Sequence, residues 1–227
     1  MLSDFELAAL TLSLKVAFSA TLIGLPAAIG LALVLARFSF PGKTVLDAVI
    51  HAPLVVPPVV VGYVLLILLA PATPTGRFLA DLGLNPSFRW QGAALASGIM
   101  AFPLMVRAVR QSFEVQAPAL RHVADTLGAG PMKRFLTISL PLAWPGLATA
   151  LVLGFARAIG EFGATITFAA NIPGMTQTLP LALYTAAQSP GGEGAALRLA
   201  VISLIPALLS LVLAEWLAGR ARKRLGG

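Results

Sequence analysis

Charge is what this chain has least of. Only 11% of its 227 residues are Asp, Glu, Lys or Arg, against about 25% in soluble domains. With 58% hydrophobic residues as well, there is too little charge to coat a water-facing surface, and the composition points to a lipid bilayer. Cysteine is absent, which excludes a disulfide framework and any thiolate metal site. The two histidines, His51 and His122, lie far apart in sequence and make no ligand cluster. No GxxxxGK[ST] phosphate loop, HExxH or GxSxG is present, so the chain is not expected to hydrolyse ATP or to be an enzyme in its own right. Near the amino terminus, Asp4 and Glu6 stand where a secretory leader carries basic residues, and no cleavable signal peptide is expected.

What the chain does have is apolar length. A span needs about 20 mainly apolar residues, and five stretches supply them: 10–36, 48–69, 91–112, 142–164 and 197–218. The expected fold is an all-α integral membrane protein of about five transmembrane helices, forming one transmembrane domain over residues 1–227. Pro26 is expected to kink the first span, and Lys15 to snorkel toward the surface. Five spans do not divide into two equal inverted halves, and no carrier-type internal repeat is visible. One copy would line a pore poorly, which favours a homodimer around a central path.

Basic residues orient the chain. Placing the loops 37–47 and 113–140 and the tail 219–227 on one side gathers nine Lys and Arg there, eleven with Arg107 and Arg110 at the end of the third span, against Arg77, Arg89 and Arg198 on the other. That asymmetry puts the carboxyl terminus in the cytoplasm and the amino terminus outside. It also accounts for the net charge of +7 without nucleic acid. Arg107 and Arg110, at the inner end of the third span, are expected to anchor to lipid phosphates. Outside, 71–90 has the Pro and Gly content of an ordered loop. In 165–196 the run LPLALYTAAQ suits a short helix on the outer surface, either a plain connector or a lip that meets a soluble delivery protein.

Two polar features interrupt the apolar pattern. The first is 115–141, VQAPALRHVADTLGAGPMKRFLTISLP. Pro118 suits a first helical turn, and Leu120, Val123, Ala124 and Leu127 form a narrow apolar face. Gly128 and Gly130 tolerate the positive φ that ends a helix, and Pro131 can open another. A basic, amphipathic helix–glycine–helix knob of this kind suits either a partner's groove or the lipid surface. The second feature is inside the fourth span. Arg157 and Glu161 are four residues apart, stacked on one helix face at a depth where ionisable groups are costly and turn toward a bundle interior or a water-filled path. They either fix packing as an ion pair or line such a path. In the second span, Pro53, Pro57 and Pro58 leave backbone groups to be satisfied by neighbours or a hydrated cavity, so a packing kink and a path element both remain open.

The knob resembles the cytoplasmic loop of permease subunits of bacterial ABC importers, whose pattern is Glu-Ala-Ala, three residues, Gly, nine residues, Ile, one residue, Leu-Pro. Ala124, Gly128, Ile138, Leu140 and Pro141 fall at that spacing, while His122 and Val123 replace the Glu and the first Ala. Across nearly the whole chain, FPGK (40–43), PLVVPPVVVGY (53–63), FPLMVRA (102–108), TLGAG (126–130), GEFGATITF (160–168), NIPG (171–174) and SPGGE (189–193) are similar to strings of the bacterial molybdate permease family, in the same order. That resemblance implies the type I ABC importer fold, with 113–141 as a coupling loop and its helix seated in a cytosolic ATPase. It implies a homodimer in the bacterial inner membrane, joined to two ATPase copies and fed by a periplasmic or lipid-tethered molybdate-binding protein. ATP and Mg would sit on the ATPase, and this chain would bind no cofactor or metal. Arg157, Glu161, Pro57 and Pro58 are the candidates for path or gate. Sulfate, thiosulfate or tungstate are the alternative cargoes, and a stand-alone anion carrier the alternative class.

Overall fold

The computed structural model describes residues 2–116, 128 and 130–225, and every regular element among them is helical. Helix α1, Asp4–Arg37, starts from a capping box in which Ser3 Oγ accepts from the Glu6 N–H and Glu6 Oε2 accepts from the Ser3 N–H at 2.8 Å. It runs unbroken through Pro26 for 34 residues, about 51 Å at 1.5 Å per residue, well beyond the ~30 Å hydrocarbon core. Lys15 does not simply reach for water: its Nζ lies 3.9 Å from the centroid of the Trp90 ring.

The expected second span, 48–69, is not one helix. Helix α2, Lys43–His51, tightens into a 3-10 turn at Ala52–Leu54, and α3, Pro58–Leu69, leaves at 110° to it. Two adjacent prolines offer no N–H to continue the ladder, and their rings crowd the preceding turn. The segment 71–90 also departs from expectation, because α4, Pro74–Asp81, lies in it. Thr73 at the N-cap accepts from the Gly76 N–H at 3.0 Å, with Pro74 at the first helical position.

Helix α5, Trp90–Glu114, is the central post, packed against α1 on one side and α7, Trp144–Ile159, on the other. Their shared core is built largely of small residues, with Ala17, Ala20, Ala28, Ala101 and Ala150 buried around Met105, Val106 and Val109. Lipid gives apolar side chains no hydrophobic drive to leave it, so close backbone approach is what holds such helices together.

The fourth expected span, 142–164, is likewise broken. Helix α6, Pro131–Leu142, meets α7 at 64°, and α7 stops at Ile159 before a short α8, Gly163–Phe168. Within α6 the residues Phe135–Ser139 form a π turn, with the Leu140 N–H donating to Phe135 O. Pro141 explains it, since an N–H is missing there and the ring crowds the carbonyl four residues back.

Helix α9, Leu179–Gln188, occupies the LPLALYTAAQ run, but not as an exposed outer decoration. Leu179, Leu181, Ala182 and Ala186 are buried, and the Leu179 N–H donates to Ser13 Oγ of α1 at 2.6 Å. Helix α10, Glu193–Leu225, packs on α7 and α9 and is tied to α1 by Arg198 Nε at 2.9 Å from Glu6 Oε1. Three single helices and two bent pairs are long and apolar enough to cross a membrane, giving five spans if each pair counts once.

Candidate translocation and coupling site

Two places combine broken helices with polar side chains. The first lies where α7 ends. Gly160 closes α7 and Glu161 follows, 3% exposed. One carboxylate oxygen of Glu161 accepts from the Ala164 N–H at 2.9 Å, satisfying an orphan donor of α8; the other lies 2.6 Å from Arg157 Nη1. The Arg157 side chain is 28% exposed and its carboxylate partner 2%. Glu161 therefore does two jobs, capping one half-helix and neutralising the cation at the end of the other.

The proline break of the second span meets this one. A Cβ on Gly163 would stand 2.9 Å from Pro58 Cβ, and a Cβ on Gly62 would stand 2.6 Å from the Ala164 carbonyl oxygen. Both distances are too short for a side chain, so glycine is what lets α3 and α8 touch backbone to backbone. Pro58, next to Pro57 in sequence, thus lies against the loop that carries Glu161, and the second and fourth expected spans are joined at their breaks. Beside them Thr165 is fully buried with no hydrogen-bond partner for its hydroxyl oxygen.

The second place is the base of the loop between α5 and α6. Gly128 adopts φ +74°, the left-handed conformation expected past a helix end, and among the described residues none beyond its chain neighbours comes within 4 Å of where its Cβ would be. Ile138 lies in the π turn and Leu140 and Pro141 just beyond it, with Leu140 packed against the α1–α5–α7 core and Pro141 exposed. Ala124, and the helix expected from Pro118 to Leu127, lie outside the described residues. At the neck of the loop Gln116 Nε2 donates to Ser139 O at 2.8 Å, and Arg37 Nη2 donates to Gln116 Oε1 at 2.7 Å and to Ser139 Oγ at 3.3 Å. Nearby, Arg110 pairs with Asp47 at 3.0 Å and Glu114 at 2.7 Å. This corrects its expected role, for its charge is spent on α2 and its own helix rather than on lipid phosphate.

Residues 24–223 match the model of the family described as binding-protein-dependent transport system inner membrane component. The chain belongs to this family. It is accordingly a multi-pass inner-membrane transport component of the ABC importer class. The chain is 51% identical to the molybdenum transport system permease protein ModB of Escherichia coli K12, over 100% of this chain and 99% of that one. It is 50% identical to the protein of the same name from Haemophilus influenzae, over 97% of each. The sulfate transport system permease protein CysT of Salmonella typhimurium is 33% identical over 97% of this chain and 79% of its own. Among solved structures, a bacterial ABC transporter that imports the acidic polysaccharide alginate superposes with a TM-score of 0.69 at 19% identity, over 98% of this chain and 80% of that one. A match of that kind speaks for the fold.

Reading the transport component from its sequence missed the Arg37–Gln116–Ser139 cluster. The three residues are separated by 79, 102 and 23 positions, and a Gln or Ser carries no periodic signal that links it to an arginine so far away. Helix α4 was missed for a different reason. Its Thr-Pro start is a recognisable cap signal, outweighed by the surrounding Pro and Gly.

Proposed function

We propose that this chain is the membrane-spanning subunit of an ATP-driven importer that moves molybdate into the cytoplasm. The observation that carries the reading is end-to-end identity of 51% to a molybdenum transport permease, set against 33% for a sulfate permease. Two copies of the chain line the path. Each docks an ATPase copy through 113–141, and a periplasmic or lipid-tethered binding protein delivers the anion. The amino terminus faces outward, the carboxyl terminus and the coupling loop inward. ATP and Mg are held by the ATPase. As its dimer closes, the two coupling loops are drawn together and the spans rock from inward-open to outward-open; hydrolysis resets them.

The chemistry suggested for the path follows from the ion pair. Arg157 carries five N–H donors in a rigid fork, and Glu161 engages Nη1. The remaining donors suit an oxyanion, while Glu161 cancels the net charge, so the anion meets a weakly positive pole rather than a trap. Flexing at the Gly160–Gly163 break, against Pro57 and Pro58, is the candidate gating motion. Selection of the anion then rests with the delivery protein, and purified permease alone is expected to show no high-affinity molybdate binding.

The deciding experiment is uptake of labelled molybdate at trace concentration, by cells with and without the gene, under excess sulfate. Gene-dependent uptake that sulfate leaves untouched is the expected result, with unlabelled tungstate as the competing anion. Suppression by sulfate moves the cargo to sulfate or thiosulfate. Uptake that survives loss of the ATPase replaces the importer by a stand-alone carrier.

A further inference from the structure

We propose that Arg37, Gln116 and Ser139 form a clasp that stays closed throughout the transport cycle and carries the ATPase's pull from the coupling loop into α1. The inference rests on the reading of 113–141 as the coupling loop and assigns to it a transmission point. Gln116 lies where the chain leaves α5, and Ser139 where it returns, at the end of the π turn and directly between Ile138 and Leu140. A loop held only by its covalent ends is free to hinge at both of them. Here the neck is tied across by the Gln116 amide to Ser139 O at 2.8 Å.

The third member comes from elsewhere. Arg37 is the last residue of α1, which is separated from the loop along the chain by α2 to α5. Its Nη2 donates to Gln116 Oε1 on one side of the neck and to Ser139 Oγ on the other. Ser139 is 4% exposed while Arg37 and Gln116 are half-buried, so the clasp is shielded from water on the Ser139 side. The Arg37 guanidinium carbon stands 6.0 Å from the Phe113 ring centroid, and Phe113 packs on Phe135, the first residue of the π turn, at 6.4 Å between centroids. Charge-assisted bonds in such a setting are stronger than neutral ones. The π turn is the soft point of α6, because Pro141 removes one of its regular bonds. With the clasp shut, motion of the loop cannot be absorbed there and passes to α1 and α5 together. With it open, the loop moves while the spans stay. These are positioning residues, and their signature is loss of coupling rather than loss of ATP hydrolysis.

The absence of native cysteine makes a clean test possible. Arg37→Cys/Ser139→Cys, which leaves the Gln116 bond to Ser139 O across the neck and opens only the link to α1, is built into the full importer, with its ATPase and binding protein, reconstituted in vesicles. ATP hydrolysis and uptake of whichever oxyanion the wild type moves are measured on one preparation, first reduced and then bridged by a short, reducible bis-methanethiosulfonate linker. The reduced protein is expected to hydrolyse ATP within about twofold of wild type and to transport about tenfold less, the scale of a lost charge-assisted hydrogen bond. Bridging is expected to restore transport. Normal transport by the reduced protein overturns the proposal, as does a bridge that fails to restore it. If the double variant does not assemble, Arg37→Ala is read by the same ratio of ATP hydrolysed to anion moved, and an unchanged ratio overturns it equally. Because the anion is whichever one the wild type carries, a wrong cargo overturns the molybdate reading without touching the clasp.

Discussion

The two polar regions of this molecule solve the same problem in opposite ways. Each repairs a helix whose hydrogen-bond ladder is interrupted inside or at the edge of the bilayer. At the α7–α8 break the repair is local, with Glu161 capping α8 three residues on and pairing with Arg157 four residues back. At the neck of the α5–α6 loop it is long-range, with Arg37, Gln116 and Ser139 drawn from three separate segments. A local repair lets its element move as a unit, which suits a gate. A long-range repair makes distant elements move together, which suits transmission.

Removing Glu161 is expected to break that comparison most severely. Glu161→Leu leaves Arg157 without its counter-charge and α8 without its cap, at a cost of about 3–5 kcal/mol, whereas Arg157→Leu/Glu161→Leu recovers most of the stability. Denaturation in detergent micelles measures both. A double variant as unstable as the single one would remove the ion pair as the cause.

Next in size, Gly128→Val places a β-branched residue at φ +74°, costing about 1–2 kcal/mol locally. The subunit is expected to insert normally and to lose transport. Normal uptake by this variant would take the docking role away from 113–141. A comparable effect, felt on the other side of the comparison, is expected from Gly62→Leu. It forces α3 from α8 and costs about 1–3 kcal/mol through overpacking, with loss of transport but retained ATPase assembly in a pull-down assay.

The smallest effect sharpens the contrast from outside. Asp47→Asn weakens a part-exposed ion pair in which the side chains are 38% and 26% exposed. Stability is expected to fall by less than about 1 kcal/mol, and the difference to shrink in high salt. A larger, salt-insensitive loss would mean that the Arg110 network belongs with the neck rather than with the solvated surface.

The local region was legible in the sequence and the long-range one was not. Arg157 and Glu161 declare themselves because i,i+4 spacing places them on one helical face and because charge is conspicuous in an apolar run. Adjacent prolines mark where helices fail, so a break at Pro57–Pro58 was signalled, whereas 142–164 was read as one continuous span and its interruption at Gly160 was not. The sharpness of the bends was not signalled either, since the angle between half-helices depends on what each packs against. The span at 48–69 accordingly turned out as a pair bent by 110°, and the fourth span bends by 64° between Pro131–Leu142 and Trp144–Ile159, at its start rather than at Gly160. Helix α9 was visible as a helix, but its burial against α1 and α10 was not, because hydropathy alone does not distinguish a lipid-facing from a protein-facing apolar residue.

By itself the sequence determined that the chain is helical and membrane-embedded, roughly where its helices run, and which residues carry charge at depth. It did so because a bilayer demands apolar length and internal backbone hydrogen bonds, and both are written in consecutive residues. Only the tertiary structure decided that two broken spans meet at Gly62, Ala164, Gly163 and Pro58, and that α1 is fastened to the neck of the α5–α6 loop through Arg37. Those contacts depend on backbone approach and side-chain reach between segments many tens of residues apart, information that no local pattern holds.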